Sequence, residues 1–189
     1  MTPDAAVSKI QKTFPEIVQE VIRFHDEITL VVDRASIVDV CTFMRDDPDL
    51  AFNYLSDLSA VDIWPEHPRF QVNIQLTALD PRPQPGQGVR RLRVKVRLEE
   101  HDAKMSTLSG VWPSSAWYER ETHDLFGIEF TGHPDLRPLL LPKDSPALGT
   151  GASGDDPPPL RRDIPVHVEE VAFSFNQERI YRNKPFAKE

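Results

Sequence analysis

Two runs of strict alternation, RFQVNIQLTAL (69–79) and RRLRVKVRLEE (90–100), constrain the fold of this chain more than anything else in it. Apolar residues at every second position turn one side of an extended strand into a core and leave the other side to polar groups. In the first run these are Phe70, Val72, Ile74 and Leu76; in the second, Leu92, Val94, Val96 and Leu98. The turn-rich DPRPQPGQG between them predicts an antiparallel hairpin. The other elements are read around it. Residues 5–13 read as a helix, 21–24 and 27–34 as strands turning near His25 and Asp26, and 53–63 as another strand. Residues 35–47 read as a helix with Ile37, Val38, Cys41 and Met44 on one face, ended by Asp47-Pro48. A last helix is expected to start near Pro113, with Ser114 or Ser115 as its cap, and to stop at Gly127.

The expectation is an α+β fold: one mixed, largely antiparallel sheet with helices on one face, in the order α-β-β-α-β-β-β-α. A domain boundary is placed after residue 132. Eight of the 18 prolines fall between Pro134 and Pro165, and 133–189 reads as an extended, proline-rich tail for partner binding, with VEEVAFSF as a short strand. A stretch this long without periodicity is unusual inside a compact domain and is most simply stabilised along another protein's surface.

Charge and cysteine count exclude several classes of function. The formal net charge is -8, which disfavours wholesale attraction to nucleic acid or anionic lipid. No apolar run approaches the roughly 20 residues of a membrane span, and MTPDAAVSKIQKTF does not have the form of a signal peptide. A soluble, intracellular chain is expected. Cys41 is the single cysteine, so neither an internal disulfide nor a four-thiolate iron–sulfur site can form. In its helical segment it reads as a buried thiol. GTGASG (149–154) matches the dinucleotide fingerprint in letters only, because neither a strand nor a helix flanks it. The stripe Arg91, Arg93, Lys95, Arg97 reads either as the solvated face of a strand or as a face that meets carboxylates of a partner.

The densest chemistry is WYERETHDLFGIEF (117–130), where ERETHD places five ionisable residues in six positions. Helical spacing pairs Glu119 with His123 and Arg120 with Asp124, and puts Glu121 on the face of Tyr118 and Leu125. An acid–base set is one reading, but no nucleophile is recognisable beside it. Metal ligation by Glu119, His123 and His133 is another, at a spacing that fits no established pattern. A network of ion pairs, internal or facing a partner, is the third.

Extended to ERETHDLFGIEFTGHPDLRPLL, the segment resembles the signature of the C-subunit family of proton-pumping NADH-quinone oxidoreductase, respiratory complex I. The matching positions are Glu119, Arg120, Glu121, Asp124, Leu125, Phe126, His133, Arg137, Leu139 and Leu140. LSDLSAVDIWPEHPRFQVNIQL before it and PLRRDIP (159–165) after it are similar to the family as well. Three departures stand out: His123 replaces a usual aromatic, Pro138 replaces a usual basic residue, and KDSPALGTGASGDDPP is a longer link than usual. The resemblance implies a non-catalytic subunit of the peripheral arm, on the cytoplasmic side of the cell inner membrane. It implies no cofactor in this chain, with FMN and iron–sulfur clusters in partner subunits. It also implies packing against the subunits that hold the terminal cluster and the quinone pocket. On that reading Arg120, Arg137, Arg161 and Arg162 donate to partner carboxylates, while Glu119, Glu121, Asp124 and Asp163 accept. The equivalent subunit of a membrane-bound hydrogenase, or of another complex-I-like dehydrogenase, is the alternative.

Overall fold

The structure is a computed structural model that describes residues 2–79, 89–141 and 158–162. The order along the chain is α1 (Pro3–Thr13), β1 (Val18–Phe24), β2 (Glu27–Val32), α2 (Ile37–Asp46), β3 (Tyr54–Asp62), β4 (Phe70–Ala78), β5 (Arg90–Leu98), β6 (Lys104–Ser106), α3 (Ser115–Phe126) and β7 (Glu129–Thr131). Short 3-10 turns at Arg34–Ser36 and Glu100–Asp102 join β2 to α2 and β5 to β6.

β1 to β5 form one sheet in the spatial order β1-β2-β5-β4-β3. The alternating runs pair antiparallel, with Phe70 opposite Leu98 and Ile74 opposite Val94, as their periodicity predicts. β1 and β2 form a hairpin turning at His25, which adopts a positive φ of 50°. β2 lies parallel to β5, with Leu30 opposite Val94. The chain therefore leaves β2, crosses through α2 to the far edge at β3, and works back inward.

Leu30, Leu58, Val72, Ile74, Val94 and Val96 share one face and one core. Burial of such a side chain contributes roughly 1.5–3 kcal/mol, set against the entropy of ordering the chain. α1 adds Ala6, Val7 and Ile10 to that core; α2 adds Ile37, Val40, Cys41 and Met44. Burial pushes the Cys41 thiol well above its ordinary range, so it packs as a small apolar side chain rather than as a nucleophile.

The opposite face carries the basic stripe, and the described contacts are internal. Arg93 pairs with Glu27 and Arg97 with Glu20, each at 2.7 Å. Lys95 donates to Gln71 Oε1 at 2.8 Å. Two of the four cations of the stripe are thus neutralised within the chain, while Arg91 is exposed.

Two elements escaped the sequence reading. β6 and β7 are three-residue strands that pair parallel as a second small sheet, with Met105 opposite Phe130. Strands this short hold no measurable period. The expected serine cap is also absent: Ser114 stands at the N-cap position but makes no side-chain cap bond. Its backbone is already helical, at φ -64° and ψ -25°, which turns the hydroxyl away from the first amides. Among the described residues no helix is long and apolar enough to cross a membrane. The loop 80–88, GTGASG, Asp163, VEEVAFSF and most of the expected tail lie outside the described residues.

Candidate functional site

α3 packs along β3. There an irregularity between Leu55 and Asp57 lets Ser56 present its carbonyl to the Tyr118 hydroxyl at 3.3 Å. The residues the helix buries are polar: Ser115, Glu119 and Thr122 share one side, and Asp124 lies on the opposite side, under residues 139–141.

Glu119 is fully buried. Its Oε1 accepts the Leu108 N–H at 2.7 Å, and its Oε2 accepts the Thr107 hydroxyl at 2.5 Å. The His133 ring lies 3.9 Å from Oε2 and is itself buried. His133 Nδ1 accepts the Asp135 N–H at 2.9 Å, so the proton sits on Nε2, which donates to the Ala116 carbonyl at 3.0 Å. That pattern requires the neutral imidazole. Glu119 and His133 are thus neighbours with separate partners, an amide and a hydroxyl for the carboxylate and two main-chain groups for the ring.

Asp124, also fully buried, accepts three successive amides on Oδ2: Leu139 at 2.6 Å, Leu140 at 2.8 Å and Leu141 at 3.4 Å. Its Oδ1 is buried without a hydrogen-bond partner. Arg120, one turn earlier on the same face of α3, reaches the same segment, donating to the carbonyls of Arg137 at 2.9 Å and Pro138 at 3.0 Å. Its guanidinium lies 5.2 Å from the centre of the Trp117 ring. His123 Nδ1 is 3.0 Å from the Ile128 carbonyl. Residues 133–141 are thereby bound across α3 almost entirely through main-chain groups.

These contacts replace the pairings drawn from helical spacing. Neither Glu119–His123 nor Arg120–Asp124 forms, because each side chain has a better-placed backbone partner. Glu119 and Asp124 are therefore interior residues in the described chain, not acceptors turned toward a partner. Glu119, His123 and His133 do not converge, and among the described residues no group of three His, Cys, Asp or Glu side chains is placed to hold a metal ion.

Other signature residues are outward. Glu121 is exposed and Leu140 largely so; Trp117, just before the signature, is 60% exposed. Arg137 is 76% exposed and grips nearby Asp135 through three side-chain bonds, Nε to Oδ1 at 2.9 Å and to Oδ2 at 3.0 Å, and Nη2 to Oδ2 at 2.7 Å. The Arg137 bonds hold the Asp135 carboxyl well below the usual carboxylate range. Leu125 and Leu139 are half-buried, and Phe126 packs against the core.

Gly127 closes α3 with φ +75°, its N–H bonded to the His123 carbonyl at 2.8 Å. A Cβ built there would meet Pro158 Cγ at 2.8 Å. Gly127→Ala is expected to lower the unfolding free energy by about 1–2 kcal/mol from the left-handed backbone alone, with displacement of Pro158 added. Urea denaturation checks this. Gly127→Asn should recover part of the backbone cost but not the contact, since Asn tolerates that conformation.

Arg161 and Arg162, expected to face a partner, also meet their own domain. Arg161 Nη2 donates to Glu100 Oε1 at 2.7 Å, and the Arg162 N–H donates to Asp62 Oδ2 at 2.8 Å. Behind them lies an ion pair that the sequence reading missed. Arg69, 1% exposed, donates Nη2 to Asp62 Oδ2 at 2.8 Å, Nε to Asp62 Oδ1 at 3.1 Å, and Nη1 to Glu100 Oε1 at 2.6 Å. The available signal was Asp62 at a core position of a strand and Arg69 directly before the alternating run.

Comparison with known proteins gives a consistent result. A sequence model of the family described as "Respiratory-chain NADH dehydrogenase, 30 Kd subunit" matches residues 30–170. The NADH-quinone oxidoreductase C-subunit of Roseiflexus sp. (strain RS-1) is 40% identical over 183 residues, covering 97% of this chain and 95% of that one. Its counterpart in Herpetosiphon aurantiacus is 40% identical over 171 residues, covering 89% of this chain and 90% of that one. Among solved structures, the trypsin-resistant fragment (1–134) of Nqo5 is similar with a TM-score of 0.58 at 29% identity, covering 72% of this chain and all of the fragment. A chain of an archaeal membrane-bound sulfane sulfur reductase shares the fold, with a TM-score of 0.66 at 22% identity over 98% of this chain and 95% of that one.

Proposed function

This chain belongs to the 30 kDa subunit family of respiratory-chain NADH dehydrogenase, and from that membership we propose that it is a structural subunit of a proton-pumping NADH-quinone oxidoreductase. Electrons would pass from NADH through FMN and iron–sulfur clusters of other subunits to quinone, coupled to proton translocation. This chain would hold none of those groups and would position its neighbours in the peripheral arm, on the cytoplasmic side of the membrane. The observation that carries the reading is similarity along nearly the whole chain to C-subunit relatives.

The geometry supports a binding role over catalysis. Glu119 and Asp124, the buried acids of ERETHD, are occupied by backbone amides, and their solvent access is closed. What the segment presents outward is Trp117, Glu121, Arg137 and Leu140. Aromatic and arginine side chains are those that dominate protein interfaces when desolvated.

The test is purification of the tagged chain from detergent-solubilised membranes, with its partners identified by mass spectrometry. Flavin- and cluster-bearing subunits with NADH-quinone activity are expected. A nickel–iron large subunit would instead favour the hydrogenase alternative, and recovery alone would remove the assembly role. Arg137→Ala should reduce the yield of complex while moving the melting temperature of the isolated chain little, because its bonds to Asp135 are exposed. A clear drop in melting temperature with an unchanged yield would make Arg137 an internal structural residue.

A further inference from the structure

At one corner of the sheet, the five residues 158–162 meet the domain at four places. Pro158 lies over Gly127, where only a missing Cβ leaves room. The Leu160 N–H donates to the Leu125 carbonyl at 3.0 Å. The Arg161 guanidinium bonds to Glu100 and lies 5.8 Å from the centre of the Phe70 ring. The Arg162 N–H donates to Asp62.

The receiving groups belong to separate rigid elements: Asp62 ends β3, Phe70 begins β4, Glu100 lies in the turn after β5, and Leu125 and Gly127 close α3. Asp62 is held in place by both nitrogens of Arg69 that reach it.

We propose that this corner is a peptide-docking site whose occupant is the chain's own Pro158-Pro159-Leu160-Arg161-Arg162. Docking there, rather than the covalent link through 142–157, holds this segment on the domain. Each contact reads a different feature. The glycine floor reads the proline ring, a carbonyl and a carboxylate read two backbone N–H groups, and a second carboxylate with an aromatic face reads the guanidinium. Asp62 and Glu100 make the site acidic, so a carboxylate at the position of Arg161 would be repelled. If docking carries the attachment, the link can be lengthened at little cost, since loop-closure entropy grows only logarithmically with length. The docking belongs to the isolated chain and requires no partner subunit, so its failure is separate from failure of the assembly role.

The experiment uses the full chain with a specific protease site replacing GTGASG, cut after folding. The piece ending in Glu189 should stay bound to the domain through gel filtration at micromolar concentration. Arg161→Ala should weaken its retention about tenfold or more, the usual effect of removing a hydrogen bond to a charged group. Glu100→Gln should act in the same direction. On the uncut chain, the amides of Leu160 and Arg162 should exchange hydrogen more slowly than in an unstructured peptide. Immediate separation of the cut pieces, retention indifferent to Arg161→Ala, or fast exchange at both amides would overturn the assignment.

Discussion

Arg69→Ala is expected to lower the unfolding free energy by about 3–5 kcal/mol, the usual cost of removing one partner from a buried ion pair. Arg69 and Asp62 each expose 1% of their side chains. Without the guanidinium, Asp62 keeps the N–H groups of Trp64 at 2.9 Å and Arg162 at 2.8 Å but has lost its counter-charge. Glu100 matters less, because it is partly solvated. Replacing both ions together, Arg69→Met with Asp62→Leu, should restore much of the loss, since the desolvation penalty goes with them. A urea titration of the three proteins decides the matter, and a loss under about 1 kcal/mol in the single variant would mean that water reaches Asp62.

The pH dependence has a definite sign. Burial alone would raise the Asp62 carboxyl, but bonds from Arg69 and then from the amides of Arg162 and Trp64 outweigh it, leaving the group below its ordinary value of 3.8. Its contribution to stability is therefore present above the unfolded value and is lost as pH falls through the lower folded one. In Arg69→Ala that depression is removed, so the gap in stability between wild type and variant should narrow as the solution is acidified below that range.

The second large effect belongs to Asp124. Asp124→Ala strips the acceptor from three amides, and a loss on the order of 2–4 kcal/mol is expected from unpaired or poorly solvated N–H groups. The Leu141 bond is long and Leu140 is largely exposed, so water will recover part of the cost. Asp124→Asn should be milder, since one oxygen can still face the amides. Glu121→Ala, on the exposed side of the same helix, should stay within about 0.5 kcal/mol of wild type. Faster exchange at Leu139 and Leu140 in Asp124→Ala would locate the damage. No change there would mean that residues 133–141 are held from elsewhere.

How much was legible in the sequence follows from what kind of partner each residue has. The β4–β5 hairpin was readable because its information lies in side chains alternating along one strand. α3 was readable as a helix from its proline start, its glycine stop and the spacing between them. The partners of Glu119 and Asp124 were not, since they are chiefly backbone amides at 108 and 139–141, and every residue type but proline offers the same amide. Helical spacing states which side chains could meet on an isolated helix; it is silent on what a second segment brings across it. The resemblance implied that Glu119 and Asp124 accept from a partner, whereas both are buried in the described chain and Glu121 is exposed. Asp62 and Arg69 failed to register because a strand with one acid at a core position looks like an edge unless its counter-ion is known.

The parallel pairing of β2 with β5 has a consequence for how the chain finds its structure. Thr29 and Arg93, partners in that seam, are 64 positions apart (93 minus 29). β1–β2 and β3–β4–β5 each close over short distances in sequence and can form as local units. Joining them across the seam requires the longest loop closure in the sheet, and such contacts slow folding. With seam closure as the slow step, substitutions at Leu30 should act on the folding rate, as should those in the β4–β5 pair on which the seam forms. The middle of the finished sheet would then be the last part of it to assemble.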